Sequence, residues 1–219
     1  MLMRGSVPIV SLAAILASLP ACHHTVKGPD LVPPQAVKMD SELLEEFYEE
    51  ITEYVKLRHK AVEAIPPLPA EATADQIAAH QKALTLAIVR YNRNSKQGEI
   101  FEPPIEAAFR RILAEAFASP QGPAMIQEIK QGNPRLEGVP QANDPSREQI
   151  KNVTLRVNLV YPEDAPFSSV PAGLLLKIPV LPEQVRYRFI GRALIVRDTE
   201  ANVILDFIRD VVPDSSIPR

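Results

Sequence analysis

Apolar side chains recur at spacings of three and four from Leu44 through Phe47, Ile51 and Tyr54 to Ala61 and Ile65, with Arg58 the one charged residue in the series. That is the period of a helix face, and it predicts a helix of about six turns. Asp40, Glu42, Glu45, Glu46, Glu49, Glu50 and Glu53 fill its first half, and Lys56, Arg58, His59 and Lys60 its end, an order that suits the helix dipole. Pro66-Pro67-Leu68-Pro69 stops it, because proline lacks the amide that would continue the ladder. Thr73 followed by Gln76 has the spacing of a capping box and opens a second helix, striped by Ile77, Leu84, Ile88 and Tyr91 and expected to return antiparallel to the first. Beyond the polar turn from Asn92 to Gly98, Pro103 and Pro104 suit the start of a third helix bearing Ile105, Ala108, Phe109, Ile112, Ala116 and Phe117. A short fourth, around Ala124 to Lys130, ends at Gly132-Asn133-Pro134.

The period then falls to two. Val153, Leu155, Val157, Leu159 and Tyr161 alternate with polar neighbours, which predicts a half-buried strand ending at Pro162. A connection rich in proline follows, with one helical turn expected between Gly173 and Ile178. Val185-Tyr187-Phe189, Leu194-Val196 and Val203-Leu205-Phe207 are three alternating runs. A two-residue loop at Gly191-Arg192, of type II′ with glycine first, sets Phe189 opposite Leu194 and Tyr187 opposite Val196. A four-residue loop from Thr199 to Asn202 sets Val196 opposite Leu205 and Leu194 opposite Phe207. A one-residue slip would expose the whole apolar set, so the register is strongly specified. The expected fold is α+β: helices over 40–131, a linker over 132–150 rich in Pro, Gly and Asn, then an antiparallel sheet over 151–212 ending in a three-stranded meander that strand 153–161 joins, and a short tail over 213–219.

Composition changes this picture little. Of 219 residues 46% are hydrophobic and 23% charged, as in an ordinary globular chain. A formal charge of -3 gives no general attraction to nucleic acid. The 22 prolines against 8 glycines make for stiff connections.

The N-terminus carries an address. Arg4 precedes an apolar stretch of about 13 residues from Val7 to Leu19, the length of a signal peptide and short for a membrane span. Leu19-Pro20-Ala21-Cys22 resembles the lipobox of bacterial lipoproteins, although Pro20 stands where the pattern has a small residue. The resemblance implies cleavage of residues 1–21, lipidation of Cys22, and a membrane partner reached through that lipid. It also implies a protein facing the periplasm, and His23, where an Asp would retain it at the inner membrane, points to the outer membrane. Cys22 is the chain's single cysteine, so no internal disulfide forms. Residues 22–39 read as a proline-stiffened tether reaching roughly 50 Å at about 3.1 Å per residue. The segment Tyr187 to Ile208 is similar to meanders that end several small exported bacterial proteins, including the periplasmic nickel/cobalt-homeostasis type; no metal ligand is carried over from them.

No GxSxG elbow, Walker loop, GxGxxG, HExxH or CxxC occurs. The histidines are His23, His24, His59 and His80, and Lys56 and Ile77 stand where an Glu-x-x-His di-iron pattern would need glutamates. No cofactor, catalytic nucleophile or metal site is therefore expected in the folded part, and a metal-handling role through the Cys22-His23-His24 terminus ranks third among readings. Asp198, Glu200 and Asp206 gather at one end of the meander and are the carboxylates a periplasmic hydrolase would use, but turn chemistry also accounts for Asp198 and Glu200. The register sets Arg186 opposite Arg197 on the outer face, with Arg188 and Asp206 flanking Ile195, and Ile190, Ile204 and Ile208 sharing that face. Like charges facing across strands need a neutralising partner. The acidic face of the first helix, or Glu163 and Asp164, would serve within the chain; an anionic envelope glycan or a partner's carboxylates would serve as ligand. Arg186, Arg188 and Arg197 are thus the candidate anion-binding or partner-binding residues. The leading expectation is a lipid-anchored, non-catalytic binding, scaffold or assembly module of the cell envelope, with a carboxylate hydrolase as the alternative.

Overall fold

In the computed structural model, whose described residues are 39–131, 155–162 and 168–213, the first helix spans Ser41–Glu63 (α1). Residues 1–38, with the expected signal segment, Cys22 and most of the expected tether, lie outside the described residues, as do the expected linker from 132 and the tail from 214. Met39, assigned to the tether by its sequence, is buried with the core. α1 turns Phe47, Ile51, Tyr54 and Ala61 inward, and Arg58 keeps its place in that stripe. α2, Ala74–Tyr91, opens with the full capping box: the Thr73 hydroxyl accepts the Gln76 N–H and the Gln76 side chain accepts the Thr73 N–H. Its buried stripe is shorter than expected. Leu84 and Ile88 are covered, but Ile77 and Tyr91 are 41% and 48% exposed, since the core meets only part of the C-terminal half of α2.

α3, Pro103–Ala118, buries every expected residue and Leu113 besides. α4, Gly122–Gln131, follows almost at once, and a Cβ on Gly122 would lie 1.9 Å from the Phe117 carbonyl oxygen, so only glycine fits there. α5 is the single turn Ala172–Leu175.

The sheet consists of β1 (Val185–Ile190), β2 (Ala193–Asp198) and β3 (Ile204–Ile208), antiparallel in the order β1-β2-β3. The first hairpin has the expected register, with Phe189 opposite Leu194, Tyr187 opposite Val196 and Arg186 opposite Arg197. Gly191 has φ 57°, the positive angle a type II′ turn asks of its first loop residue. The second hairpin corrects the sequence reading. Arg197 faces Ile204 as expected, but beyond it Val196 faces Asp206, Ile195 faces Phe207 and Leu194 faces Ile208. Leu205 is the extra residue of a bulge, which sets two neighbours on one side of the sheet. The side-chain phase of β3 therefore reverses after Leu205, and Asp206 and Ile208 turn toward the helices while Phe207 turns outward.

The expected strand 153–161 is also corrected over its described part. From Leu155 to Tyr161 the chain crosses the free edge of β3 through one bridge, Val160 to Val203, and through bonds from Asn158 N–H to the Ile204 carbonyl and from Tyr161 N–H to the Asn202 carbonyl. A regular ladder is interrupted because Asn158 takes φ 62°, and its side chain is locked to the turn after α2 by paired bonds with Asn92. Leu155 and Tyr161 are nonetheless buried, against Ile190, Ala193, Ile195, Ile204 and Phe207.

Both faces of the sheet are thus covered. On the helix side a single core joins α1, α2, α3 and Ile129 of α4 to Val185, Tyr187, Phe189, Leu194 and Val196. Phe101 packs edge-on against Phe109 at 5.0 Å, and Phe109 lies 6.0 Å from Tyr187. The described helical and β residues share this core. Among the described residues no helix is long and apolar enough to cross a membrane.

Candidate functional site

Asp198 closes β2 with a side chain wholly out of solvent. Its Oδ2 accepts the Tyr54 hydroxyl at 2.7 Å and Arg58 Nε at 2.8 Å, and its Oδ1 accepts the N–H groups of Glu200 and Ala201 at 3.0 and 2.7 Å. Arg58 reaches Glu200 with a second nitrogen at 2.5 Å. Burial and the adjacent Asp198 charge push the Tyr54 hydroxyl well above its ordinary value. Burial opposes the Arg58 charge, but Asp198 and Glu200 overcome it and the guanidinium is held more firmly protonated.

Among the described residues Asp206, which the bulge removes from the arginine face, accepts only backbone donors. Oδ2 takes the N–H groups of Ile100 and Phe101 at 3.0 and 2.8 Å, Oδ1 takes that of Phe207 at 2.8 Å, and Gly98 N–H lies between the two oxygens at 3.0 and 3.1 Å. Burial raises its pKa against the pull of these amides. The three carboxylates thus divide into an Asp198–Glu200 pair around Arg58 and an isolated Asp206, with no partner in common.

On the outer face Arg186 and Arg197 meet as the register requires, and Arg188 faces Ile195. Arg186 donates to the carbonyls of Pro182 and Val185 at 2.9 Å, Arg188 to that of Tyr187 at 2.9 Å, and Arg197 to that of Thr199 at 3.3 Å. Burial and then Arg186 lower the Arg188 pKa, and burial and then Arg188 lower that of Arg197 against the opposing pull of Asp198 and Tyr161. The acidic face of α1 is not their partner, because α1 packs on the other side of the sheet. Glu163 and Asp164 lie outside the described residues.

Two open grooves accompany these clusters. The larger, about 710 Å³, runs between the second half of α1 and residues 91–100, over Tyr54, Leu57, Tyr91, Ile100 and Leu205. Glu50, Glu53 and Glu99 line it together with Lys56, His59 and Lys60, and burial, then Glu102 and Glu99, raise the Glu50 pKa. The smaller, about 450 Å³, lies between Leu175, Pro179, Val180 and Leu181 and the edge of β1 at Arg186, Tyr187 and Arg188. His59 is 73% exposed beside Glu63, and His80 meets the Pro66 carbonyl at 3.1 Å in a shallow hollow against Pro66–Pro69. Among the described residues no three His, Cys, Asp or Glu side chains gather as a metal site would require.

No family model, curated protein or solved structure matches the chain. The site therefore rests on geometry alone. The one charge in the apolar stripe of α1 was a visible sign of Arg58 and its buried acid. The amides that hold Asp206 and the larger groove left no such sign, since neither depends on a side-chain pattern.

Proposed function

We propose that this chain is a non-catalytic binding module of the cell envelope, held to a membrane by lipid at Cys22. The observation that supports it best is the contrast between occupied carboxylates and open grooves. Asp198 and Glu200 are bound to Arg58 and to their own turn, and Asp206 is enclosed by backbone amides, so none is poised to move a proton on a substrate. The groove beside α1 has an apolar floor and a charged rim, the make-up of a surface that recognises a partner. The hydrolase alternative would need one of those carboxylates released.

A photo-crosslinking residue at Tyr91, which is exposed in the groove, tests this in cells carrying the full chain. Adducts should form there and not from Gln81, on the exposed part of α2 away from the groove. Equal yields at both positions would count against binding at the groove. Hydrolysis by the purified protein that disappears in Asp198→Asn with the fold intact would replace the binding reading with the enzymatic one. Cys22→Ser should release the protein from membranes or leave its precursor uncut, because it removes the thiol that would carry the lipid whose buried methylenes hold the chain to the bilayer.

A further inference from the structure

We infer that the turn and loop from Ala172 to Val180 seat on an anionic phospholipid bilayer, as a second membrane contact beside the lipid at Cys22; this rests on the anchor in the reading above. α5 is amphipathic in reverse. Leu174 and Ile178 point into the core and are 0% and 1% exposed, whereas Ala172, Leu175 and Leu176, at spacings of three and four, share the outward side of the turn. Leu175 is 47%, Leu176 54% and Val180 65% exposed. That exposure does not come from slack. The N–H groups of Leu174 and Leu175 bond to the Pro171 carbonyl, that of Leu176 to Ala172, and those of Lys177 and Ile178 to Leu174. A Cβ on Gly173 would lie 2.6 Å from Met125 Cε, so the turn is pressed against α4, and Pro171, Pro179 and Pro182 stiffen its approaches. With Leu174 and Ile178 already filling the core side, Leu175, Leu176 and Val180 are held out in water, and large apolar side chains gathered there mark an interaction surface.

The charges around the loop select a lipid surface. Residues 168–182 contain no acid, and their one charge is Lys177, half-buried next to Leu176. Leu175 and Val180 line one hollow with Arg186 and Arg188, against the single acid Glu183. Arg186 donates to the carbonyls of Pro182 and Val185 and Arg188 to that of Tyr187, groups with no net charge to offset theirs. Apolar side chains that enter the acyl boundary, beside cations whose stems lie along apolar surface while their ends meet phosphate, have the make-up of an interfacial contact. From Leu175 to Val180 Lys177 is the one polar side chain, so the loop has little with which to orient a protein partner. The expected tether of roughly 50 Å keeps it in reach of the leaflet that holds the lipid, and a patch too weak to bind alone then acts at high local concentration.

The test uses the lipid-bearing mature protein. The chain has no tryptophan, so Leu176→Trp sets a lone reporter in the loop, and Leu86→Trp sets one at a residue 63% exposed on α2. Each is inserted through its lipid into vesicles with brominated acyl chains, made either of phosphatidylglycerol and phosphatidylcholine or of phosphatidylcholine alone. In the anionic vesicles bromine should quench the tryptophan at position 176, less so at high salt, and leave the one at position 86 unquenched. In the Leu176→Trp background, Arg186→Gln with Arg188→Gln should lower the ratio of seated to free loop about tenfold. Val180→Ser should lower it too, and thermal melts verify that each variant is folded. The proposal is overturned if position 176 is quenched no more than position 86, if neutral vesicles quench it equally, or if the folded arginine variant stays seated. Shielding of position 176 from water without bromine quenching also overturns it, and marks a protein or a second copy as the cover. Mass spectrometry of the same sample reads the anchor separately. A mature chain without acyl mass at Cys22 overturns the anchor and this proposal together, whereas a lipid-bearing chain with an unquenched loop overturns this proposal alone.

Discussion

Asp198, at the end of β2, and Asp206, in the middle of β3, are equally hidden from solvent, yet they are held in opposite ways. Asp198 is answered by side chains from α1, Tyr54 and Arg58, as well as by its own turn. Asp206 is answered by amides of the loop that leads into α3. The first arrangement balances a charge with a charge. The second balances it with several dipoles, and in doing so fixes the path of a loop that would otherwise have no acceptors for its N–H groups. One aspartate ties a helix to the sheet; the other gives a loop its shape.

The largest expected effect follows from that difference. Asp206→Ala leaves the buried N–H groups of Ile100 and Phe101, and that of Gly98, without their acceptor, and should cost on the order of 4 to 6 kcal/mol in denaturant unfolding. Asp198→Ala strands Arg58, but that guanidinium is 14% exposed and keeps Glu200, so about 2 to 4 kcal/mol is expected. If Asp198→Ala proves the costlier, the backbone-held acid is not the stronger support. A double-mutant cycle between Arg58→Ala and Asp198→Ala should show coupling of about 1 to 3 kcal/mol, and no side-chain replacement on the 98–101 loop should couple to Asp206 in the same way. Tyr54→Phe, which removes one hydroxyl donor from Asp198, should cost about 1 to 2 kcal/mol. The smallest effect is in pH. The Asp206 pKa is raised above 3.8 on folding, so the proton is bound more tightly by the folded chain. That contribution is full below pH 3.8 and is lost as pH rises through the folded value; Asp206→Asn should flatten this part of the stability profile.

The same contrast explains how much could be read from residue order. Arg58 breaks a stripe of apolar residues, and a charge in such a place asks for a buried counter-charge. Gly191 before Arg192 determines the first hairpin locally, and its register followed. The second hairpin has an equally regular alternation through Val203, Leu205 and Phe207, but a bulge conceals itself within alternation, and this one is favoured by amides 105 to 108 positions earlier in the chain. Strand 153–161 shows the intermediate case: the burial of Leu155 and Tyr161 obeys the period of two, while Asn158 diverts the backbone to reach Asn92. The grooves lie beyond any single pattern because each is formed by surfaces of separate elements.

The span of these contacts has a consequence in time. Arg58 and Asp198 are 140 residues apart, and Gly98 and Asp206 are 108 apart. The inward faces of α1 and α3 are covered by strands drawn from the last stretch of the chain, 185–212. A chain delivered N-terminus first, whether by a ribosome or through a translocation channel, therefore presents Phe47 and Phe109 before the strands that complete their cover exist. At about 5 to 20 residues per second, roughly 5 to 20 s separates the appearance of Phe117 from that of Ile208. Through that interval the helices are without the sheet that completes their core, which keeps the chain threadable until its end is released and makes the final strand the step that commits it to its shape.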